Sequence, residues 1–349
     1  MGTQLVSILI PFYNEETLIQ RAIMSCINQT YKNIEIILVD DFSTDNSINI
    51  VNKMAVEYPN LIYVQSHKKG VGAARNSAFN KMKGEFYTFL DADDELDKNF
   101  ISVCFQKAKE TNSDVIVVNT QVFDSNSNQI SKFNYTFDDR YFANQLGLNE
   151  IYNYNINPSA WGKLISSKLT FSFPETIFYE DKPFVVNILI SANKVCLISD
   201  KLYRHHSNQK SITRKTIYSK LIEDNVESFF LELGIIDSNA KEEIKNDLIK
   251  NAFQFQLKIM LDIYFIIKID KPKLDFEVVS RVYQKCISKI KKEIIRRKVK
   301  LTFKSKILLI ILNNKSLNRM KLTSLILKKY KKIQFDFIKK IKNKTLIFV

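Results

Sequence analysis

The sequence predicts an α/β fold: a mostly parallel sheet flanked by helices, followed by a helical, basic C-terminal region. Three observations lead there. Short β-branched apolar runs alternate with amphipathic stretches over the first hundred residues, each run ends in polar residues, and the charge balance changes sign near residue 280. Strand–helix alternation implies parallel strands joined by right-handed crossovers. In such sheets ligands bind beyond the carboxyl ends of the strands.

The elements follow in order. "LVSILI" (5–10) is a buried strand, and "NEETLIQRAIMSCINQ" a helix capped at Asn14, with Leu18, Ala22, Ile23, Cys26 and Ile27 at helical spacing. "IEIILVD" (34–40) and "LIYV" (61–64) are strands two and three, with a helix over 44–58 between them. "GAARNSAFNKMK" (72–83) is a third helix and "EFYTFL" (85–90) a fourth strand. A helix over 98–111 and a strand over 114–119 follow, then a polar hairpin-like stretch and "PSAWGKLIS". From about residue 216 the chain turns Ile- and Lys-rich, without glycine after Gly234, and reads as helical. The implied organisation is a domain over 1–215, divided into 1–97 and 98–215, and a helical region over 216–349.

A chain of 349 residues, 45% hydrophobic and 12% aromatic, has the material for a full-sized core. Its N-terminus carries no basic residue before the first apolar run and that run is short, which supports neither a signal peptide nor a membrane span. Cys26, Cys104, Cys196 and Cys286 lie far apart without a CxxC pair, as expected of reduced core residues in a cytoplasmic protein. The net charge of +15 divides unevenly: residues 281–349 hold 22 Lys and Arg against Glu293 and Asp336, leaving the first 280 residues mildly acidic.

The densest chemistry is "FLDADDELD" (89–97), where Asp91, Asp93, Asp94, Glu95 and Asp97 crowd behind a strand. Like charges this close raise one another's pKa unless a cation sits among them. A solvated turn, with Asp94 or Asp97 capping the next helix, accounts for Asp94, Glu95 and Asp97. For Asp91 and Asp93 that reading stands level with a second: hard oxygen ligands for Mg²⁺ or Mn²⁺, the shell completed by water and phosphate. "KKGVGAARN" (68–76) fits neither the P-loop nor the dinucleotide fingerprint, since Arg75 stands where the latter needs glycine. In "LVDDFSTD" (38–45), Thr44 or Asp45 reads as an N-cap; Asp40 and Asp41 are carboxylates that can accept hydrogen bonds from a base or a ribose. "FYEDKPF" (178–184) sets Glu180 and Asp181 among aromatics, either as two surface acids or as a buried pair suited to general-base work. His205 and His206 in "LYRHHSNQKSIT" do not share a side of a strand and make no zinc motif; a basic, hydroxyl-rich loop over a phosphate fits them better.

Taken in order, "VSILIPFYNEE", "VDDFSTDNS", "GVGAARNSAF", "GEFYTFLDADDELD", "WGKLI", "YED" and "LYRHHSNQKSIT" resemble the inverting nucleotide-sugar glycosyltransferases of family 2. The likeness covers about 4–215 and is strongest with bacterial enzymes of capsule, exopolysaccharide and teichoic-acid synthesis. It implies an A-type glycosyltransferase fold and a hexosyl- or N-acetylhexosaminyl-transferase using Mn²⁺ or Mg²⁺. Pro11, Tyr13 and Glu15 would lie in the nucleotide-sugar pocket and Asp41 would bind the base. Arg75 would support that loop, Asp91 would face the donor's sugar side, and Asp93 would ligate the metal. Asp181 would be the general base, and Trp161 and Glu180 would form an acceptor or sugar wall. Arg204 and the Ser211 loop would close over the diphosphate. Lys68 stands where many relatives place Asn, which leaves the donor's base open, with a UDP-sugar favoured.

The expected acceptor is a saccharide or a lipid-linked one. In 318–342, Leu322, Ile326, Tyr330, Ile333, Phe337 and Ile341 recur at helical steps among lysines. That stripe either docks on the catalytic body or lies on an anionic membrane, placing the enzyme peripherally on the inner face. No nucleic-acid reading module accompanies the charge. A nucleotidyltransferase and a non-catalytic polysaccharide- or membrane-binding scaffold are the alternatives on the same fold.

Overall fold

The computed structural model describes residues 4–123, 138–143, 145–153, 156–206, 218–269 and 276–313. The amphipathic stretch over 318–342 and the Ser211 loop lie outside them. The chain divides into two compact units, residues 1–208 with 234–240, and residues 209–233 with 241–349.

In the first unit, β1 (Val6–Phe12) and β2 (Ile34–Asp40) are buried at every position, as strands covered on both faces must be. They pair in parallel with Phe12 level with Asp40; β3 (Leu61–Gln65) joins β2, and β4 (Phe86–Phe89) joins β1 on its other side. The helices between them follow apolar spacing. α1 (Ile19–Ile27) buries Ile19, Ala22, Ile23 and Cys26, one stripe of a 3.6-residue period. α2 (Ser47–Glu57) buries Val51 and Met54. α3 (Val71–Phe79) packs close through Gly72, where a Cβ would stand 2.3 Å from the carbonyl oxygen of Pro174.

The starts of α1 and α2 differ from expectation. Asn14 is not a cap: it takes φ +54, and its side-chain oxygen accepts the backbone N–H of Thr44 at 2.7 Å. Glu16 N–H donates to Asp45 while Asn46 N–H donates to Glu16, both at 3.0 Å. Side chains that serve as caps in isolation here lace the loop after β1 to the loop after β2. Those two loops form one rim.

After β4 the sheet changes character. β5 (Glu95–Leu96), α4 (Phe100–Thr111), β6 (Val115–Phe123), β7 (Arg140–Ala143), α5 (Asn149–Tyr152), β8 (Lys163–Ser166), α6 (Asp181–Ser191) and β9 (Lys194–His206) complete the unit. The strand order is β3-β2-β1-β4-β8-β6-β9-β5, with β7 on β9. Parallel pairing holds across β1 to β4 and between β6 and β9, but β8 is antiparallel to both β4 and β6, and β5 and β7 are antiparallel to β9. The sheet is therefore parallel in its first half and mixed in its second, with helices on its faces.

The second unit is built from helices: α7 (Tyr218–Asn239, in part), α8 (Glu242–Ile269), α9 (Phe276–Arg296) and α10 (Phe303–Asn313). α9 buries Tyr283, Ile287, Ile290 and Ile294, and the Tyr283 hydroxyl donates to the carbonyl of Met260 on α8 at 2.8 Å. Among the described residues no helix is long and apolar enough to cross a membrane.

Candidate active site

Because β1, β2 and β4 run in parallel and in register, their carboxyl ends share one edge of the sheet. Asp40 and Asp41 follow β2, and Asp91 to Asp94 follow β4. Asp41 is buried and accepts the backbone N–H of Gly70 at 2.6 Å. Gly70 holds φ +128, a conformation that favours glycine, so the loop before α3 can turn its amide toward that carboxylate. Burial raises the Asp41 pKa and the Gly70 amide opposes the rise. Asp40 is fully buried, with one oxygen taken by the N–H of Ser43 and the other without a hydrogen-bond partner. Pro11 is buried within β1, Glu15 is half-buried, and Tyr13 lies beneath the ammonium of Lys69, 4.8 Å from its ring centroid.

The centre of the site is Arg75. α3 carries it into the interior, 4% exposed, where its guanidinium meets three carboxylates. Nη1 reaches Glu180, and also Asp181 at 2.5 Å, while Nη2 reaches Asp91 at 3.3 Å. Glu180 and Asp181 open α6, directly after Tyr179 at φ +67, a left-handed backbone that costs of order 1–3 kcal/mol and aims the pair inward. One guanidinium contacts all three acids, while Lys163 acts on Asp181 and His205 on Asp91 from further off, so the cluster holds more acid than the arginine alone can pair. Burial, with Asp181 beside it, pushes Glu180 up to about 7. Partial burial likewise pushes Asp91 up to about 7, Arg75 pulling it back while Asp94 and Asp93 add to the rise. The surface-acid reading of Glu180 and Asp181 is thus replaced by an inward-facing pair, Glu180 buried and Asp181 half-buried.

Asp94, Glu95 and Asp97 are paired with protein groups, which corrects the picture of a solvated turn, though Asp97 Oδ1 also accepts the Asn99 N–H at 3.0 Å where α4 begins, as a cap does. Asp94 is fully buried and accepts from the Tyr203 hydroxyl at 2.7 Å, the backbone N–H of His206 at 2.7 Å and His205 Nδ1 at 3.0 Å. Glu95 pairs with Arg21 at 3.1 Å and His206 Nε2 at 2.9 Å, and Asp97 with Arg204 at 3.0 Å. The two histidines lie in β9, held by Asp94 and Glu95 rather than in a free basic loop. Beside the Asp94 carboxylate the His205 pKa rises to about 9 despite burial. Arg204 is 39% exposed at its side chain.

Trp161 is 7% exposed, stacked on Tyr203 at 4.6 Å and His205 at 5.6 Å between ring centroids. It makes a β-bridge to Phe89 at the end of β4, which places its loop beside the acidic turn. That loop depends on a residue that sequence reasoning did not single out. Lys163, 1% exposed, donates to the carbonyls of Asn157 at 2.8 Å, Ser159 at 2.7 Å and Trp161 at 3.3 Å. Burial lowers its pKa to about 7.

Asp91 and Asp93 flank the buried Ala92. Among the described residues no group of three His, Cys, Asp or Glu side chains forms a cage for an ion. One or two carboxylates are what Mg²⁺ or Mn²⁺ commonly takes from a protein when phosphate and water fill the shell. Added positive charge would also relieve the repulsion that raises Asp91. The residues fit such an ion.

Comparison with known proteins agrees with this geometry. The model of the family described as "Glycosyl transferase family 2" matches residues 7–164. GlyG, a glycosyltransferase of Streptococcus pneumoniae, is 30% identical over 243 residues, 65% of this chain and 79% of GlyG. GlyA of the same organism is 28% identical over 219 residues, 60% of this chain; the match spans 31% of GlyA. Among solved structures, S. aureus TarS 1–349 in complex with UDP-GlcNAc superposes with a TM-score of 0.64 at 21% identity, covering 82% of this chain and 81% of that one, a likeness of fold. With most of GlyG matched, and the family's model running from β1 to β8, the chain belongs to glycosyl transferase family 2.

Proposed function

We propose that the chain moves a hexosyl or N-acetylhexosaminyl group from a nucleotide diphosphate sugar to a hydroxyl of a surface polysaccharide or lipid-linked acceptor, with inversion. The observation that carries this reading is the buried Arg75, shared by Asp91, Glu180 and Asp181 at the rim where the strands end. A structural ion pair needs one acid per arginine. Burial, together with three acids around one arginine, raises Glu180 and Asp91 to about 7, the kind of perturbation that marks a working site rather than a structural ion pair.

Pro11, Tyr13, Glu15 and Asp41 hold the nucleotide, and the TarS complex with UDP-GlcNAc supports a UDP-sugar. Asp91 faces the sugar, and Trp161, with Glu180, walls the acceptor side. Arg204, partly exposed, meets the diphosphate. Asp93 would hold a divalent cation, which when bound would supply positive charge opposite the departing diphosphate. Of the α6 pair, Asp181 is the more accessible, 21% exposed against 8% for Glu180, and it takes the acceptor's proton. Arg75 fixes the orientation of that carboxylate. The acceptor oxygen then bonds to the anomeric carbon as the bond to the diphosphate breaks on the opposite face, and the centre inverts. We propose further that the enzyme works peripherally at an anionic membrane through residues 281–349, where 22 basic residues face two acids.

Calorimetry with Mn²⁺ and a panel of nucleotide sugars, followed by mass spectrometry of the hydrolysed donor, tests the reading. Metal-dependent binding of one donor, lost in Asp93→Asn, is expected. Absence of metal-dependent nucleotide binding would indicate a scaffold, and transfer of the nucleotidyl group would indicate a nucleotidyltransferase.

A further inference from the structure

The corner between α9 and α10 combines dense positive charge with exposed apolar side chains. Residues 289–306 contain nine Lys and Arg and a single acid, Glu293. That acid is already held by Arg296 at 2.8 Å and Arg297 at 2.6 Å. Lys292, Lys298, Lys300, Lys304 and Lys306 are exposed. Two large apolar side chains stand among them: Ile295, 66% exposed, and Phe303, 79% exposed. Neither belongs to the inner stripe of its helix. Ile294 and Ile290 fill the buried side of α9, so Ile295 falls on the basic side, and Phe303 opens α10 facing water.

The corner is ordered by its own backbone. Val299 N–H donates to the carbonyl of Ile294 at 3.0 Å and Lys298 N–H to that of Ile295 at 3.1 Å, with Lys298 at φ +51 and Leu301 buried beneath. The display of Ile295 and Phe303 is therefore fixed before any partner arrives.

A folded protein partner would offer acids in fixed geometry and an apolar pocket; two separated apolar side chains in a field of lysines supply too little apolar area for such an interface. A polyanion such as a nucleic acid would satisfy the lysines and leave both apolar groups in water. An anionic bilayer satisfies both, because lysines meet the headgroups while aromatic and branched side chains enter the acyl boundary. We infer that the α9–α10 corner is a bilayer-docking surface, with Phe303 and Ile295 inserted and the surrounding lysines at the lipid phosphates. This rests on the membrane reading above and assigns it a place in the fold.

The test uses the full chain with vesicles of phosphatidylcholine alone and of phosphatidylcholine mixed equally with phosphatidylglycerol, scored by co-sedimentation. Wild type should bind the mixed vesicles at low salt and release as salt rises. Ile295→Ser with Phe303→Ser should weaken that binding by about tenfold or more while the thermal midpoint stays unchanged, as expected for exposed positions. Lys300→Glu with Lys304→Glu should move release to lower salt. If wild type binds and the serine variant binds equally, the corner assignment is overturned while the membrane reading stands. If wild type ignores the mixed vesicles at low salt, both fall. Equal binding of both forms to a random-sequence duplex, with the vesicle affinity of the serine variant intact, would mark a polyanion contact without insertion and overturn the inference.

Discussion

Asp91 and Asp94 stand three residues apart on one turn, and their carboxylates meet different surroundings. Asp94 has a hydrogen-bond donor at each oxygen and a histidine beside it, all from β9, and is sealed from solvent. Asp91 shares one guanidinium with two other acids, and its side chain is 31% exposed. The Tyr203 hydroxyl joins the two, accepting from Asp91 N–H at 3.3 Å while donating to Asp94. A run of five acids is thus divided by its neighbours. The part given its own cations fixes the turn, and the part left shorter of positive charge is where the proposed divalent cation would find carboxylates to neutralise.

Removing Arg75 strikes the under-neutralised part hardest. Arg75→Met leaves three carboxylates around an apolar side chain and should destabilise the protein by about 3–5 kcal/mol, with donor turnover lost by about 10²-fold or more. Urea unfolding should show the deficit shrinking at pH 5, where Glu180 and Asp91 take up protons.

Titration separates the two parts by pH. Glu180 and Asp91 have folded pKa values raised to about 7, so the stability they contribute is complete below their unfolded values near 4 and lost as pH climbs through 7. His205, raised to about 9, contributes stability that is complete below about 6.5 and lost as pH rises through 9, worth at most about 3 kcal/mol. The ligand-free protein should therefore lose stability between about pH 4 and 7; above that, the loss from His205 is opposed by Lys163, whose lowered pKa makes its contribution rise with pH. His205→Gln should remove the His205 loss and leave stability rising above about pH 7, and saturating Mn²⁺ with UDP should flatten the fall between about pH 4 and 7.

Lys163→Met should cost about 1–3 kcal/mol by stranding three carbonyls. Trp161 is the sole tryptophan, so its emission should shift to the red as its loop loosens. The smallest effect is expected at Arg204→Gln, whose pairing with Asp97 is partly exposed. Stability should change by less than about 1 kcal/mol, while the donor KM rises. A large stability loss there would blur the division between the two parts of the turn.

Legibility in the sequence followed the same physics. β1 to β4 were readable because β-branched runs buried on both faces allow few other states. Asp91, Asp93 and the Glu180–Asp181 pair were readable as chemistry and Arg75 as a site residue, but their pairing was not. Nothing in helix periodicity shows an arginine turned inward, and its acids lie up to 106 positions away along the chain. The small residues Gly72, Ala73 and Ala74 before Arg75, which let α3 pack close, were the available signal. Lys163 escaped notice because a lysine is seldom buried without a carboxylate, and carbonyl ligands leave no mark in composition. The caps at Asn14 and Thr44 misled because a side chain that can cap its own helix can equally bind the neighbouring loop; Asp45 does both, its Oδ1 accepting the Ser47 N–H at 3.0 Å as α2 opens and its other oxygen the Glu16 N–H. The antiparallel β8 was missed because pairing direction is set by contacts distant in sequence.

The central claim, that the acids around Arg75 perform chemistry while those around β9 hold the turn, is tested most directly by Asp181→Asn. Donor affinity by calorimetry with Mn²⁺ should stay within a few-fold of wild type while transfer to acceptor falls by about 10²–10⁴-fold. Unchanged transfer in that variant would contradict the account.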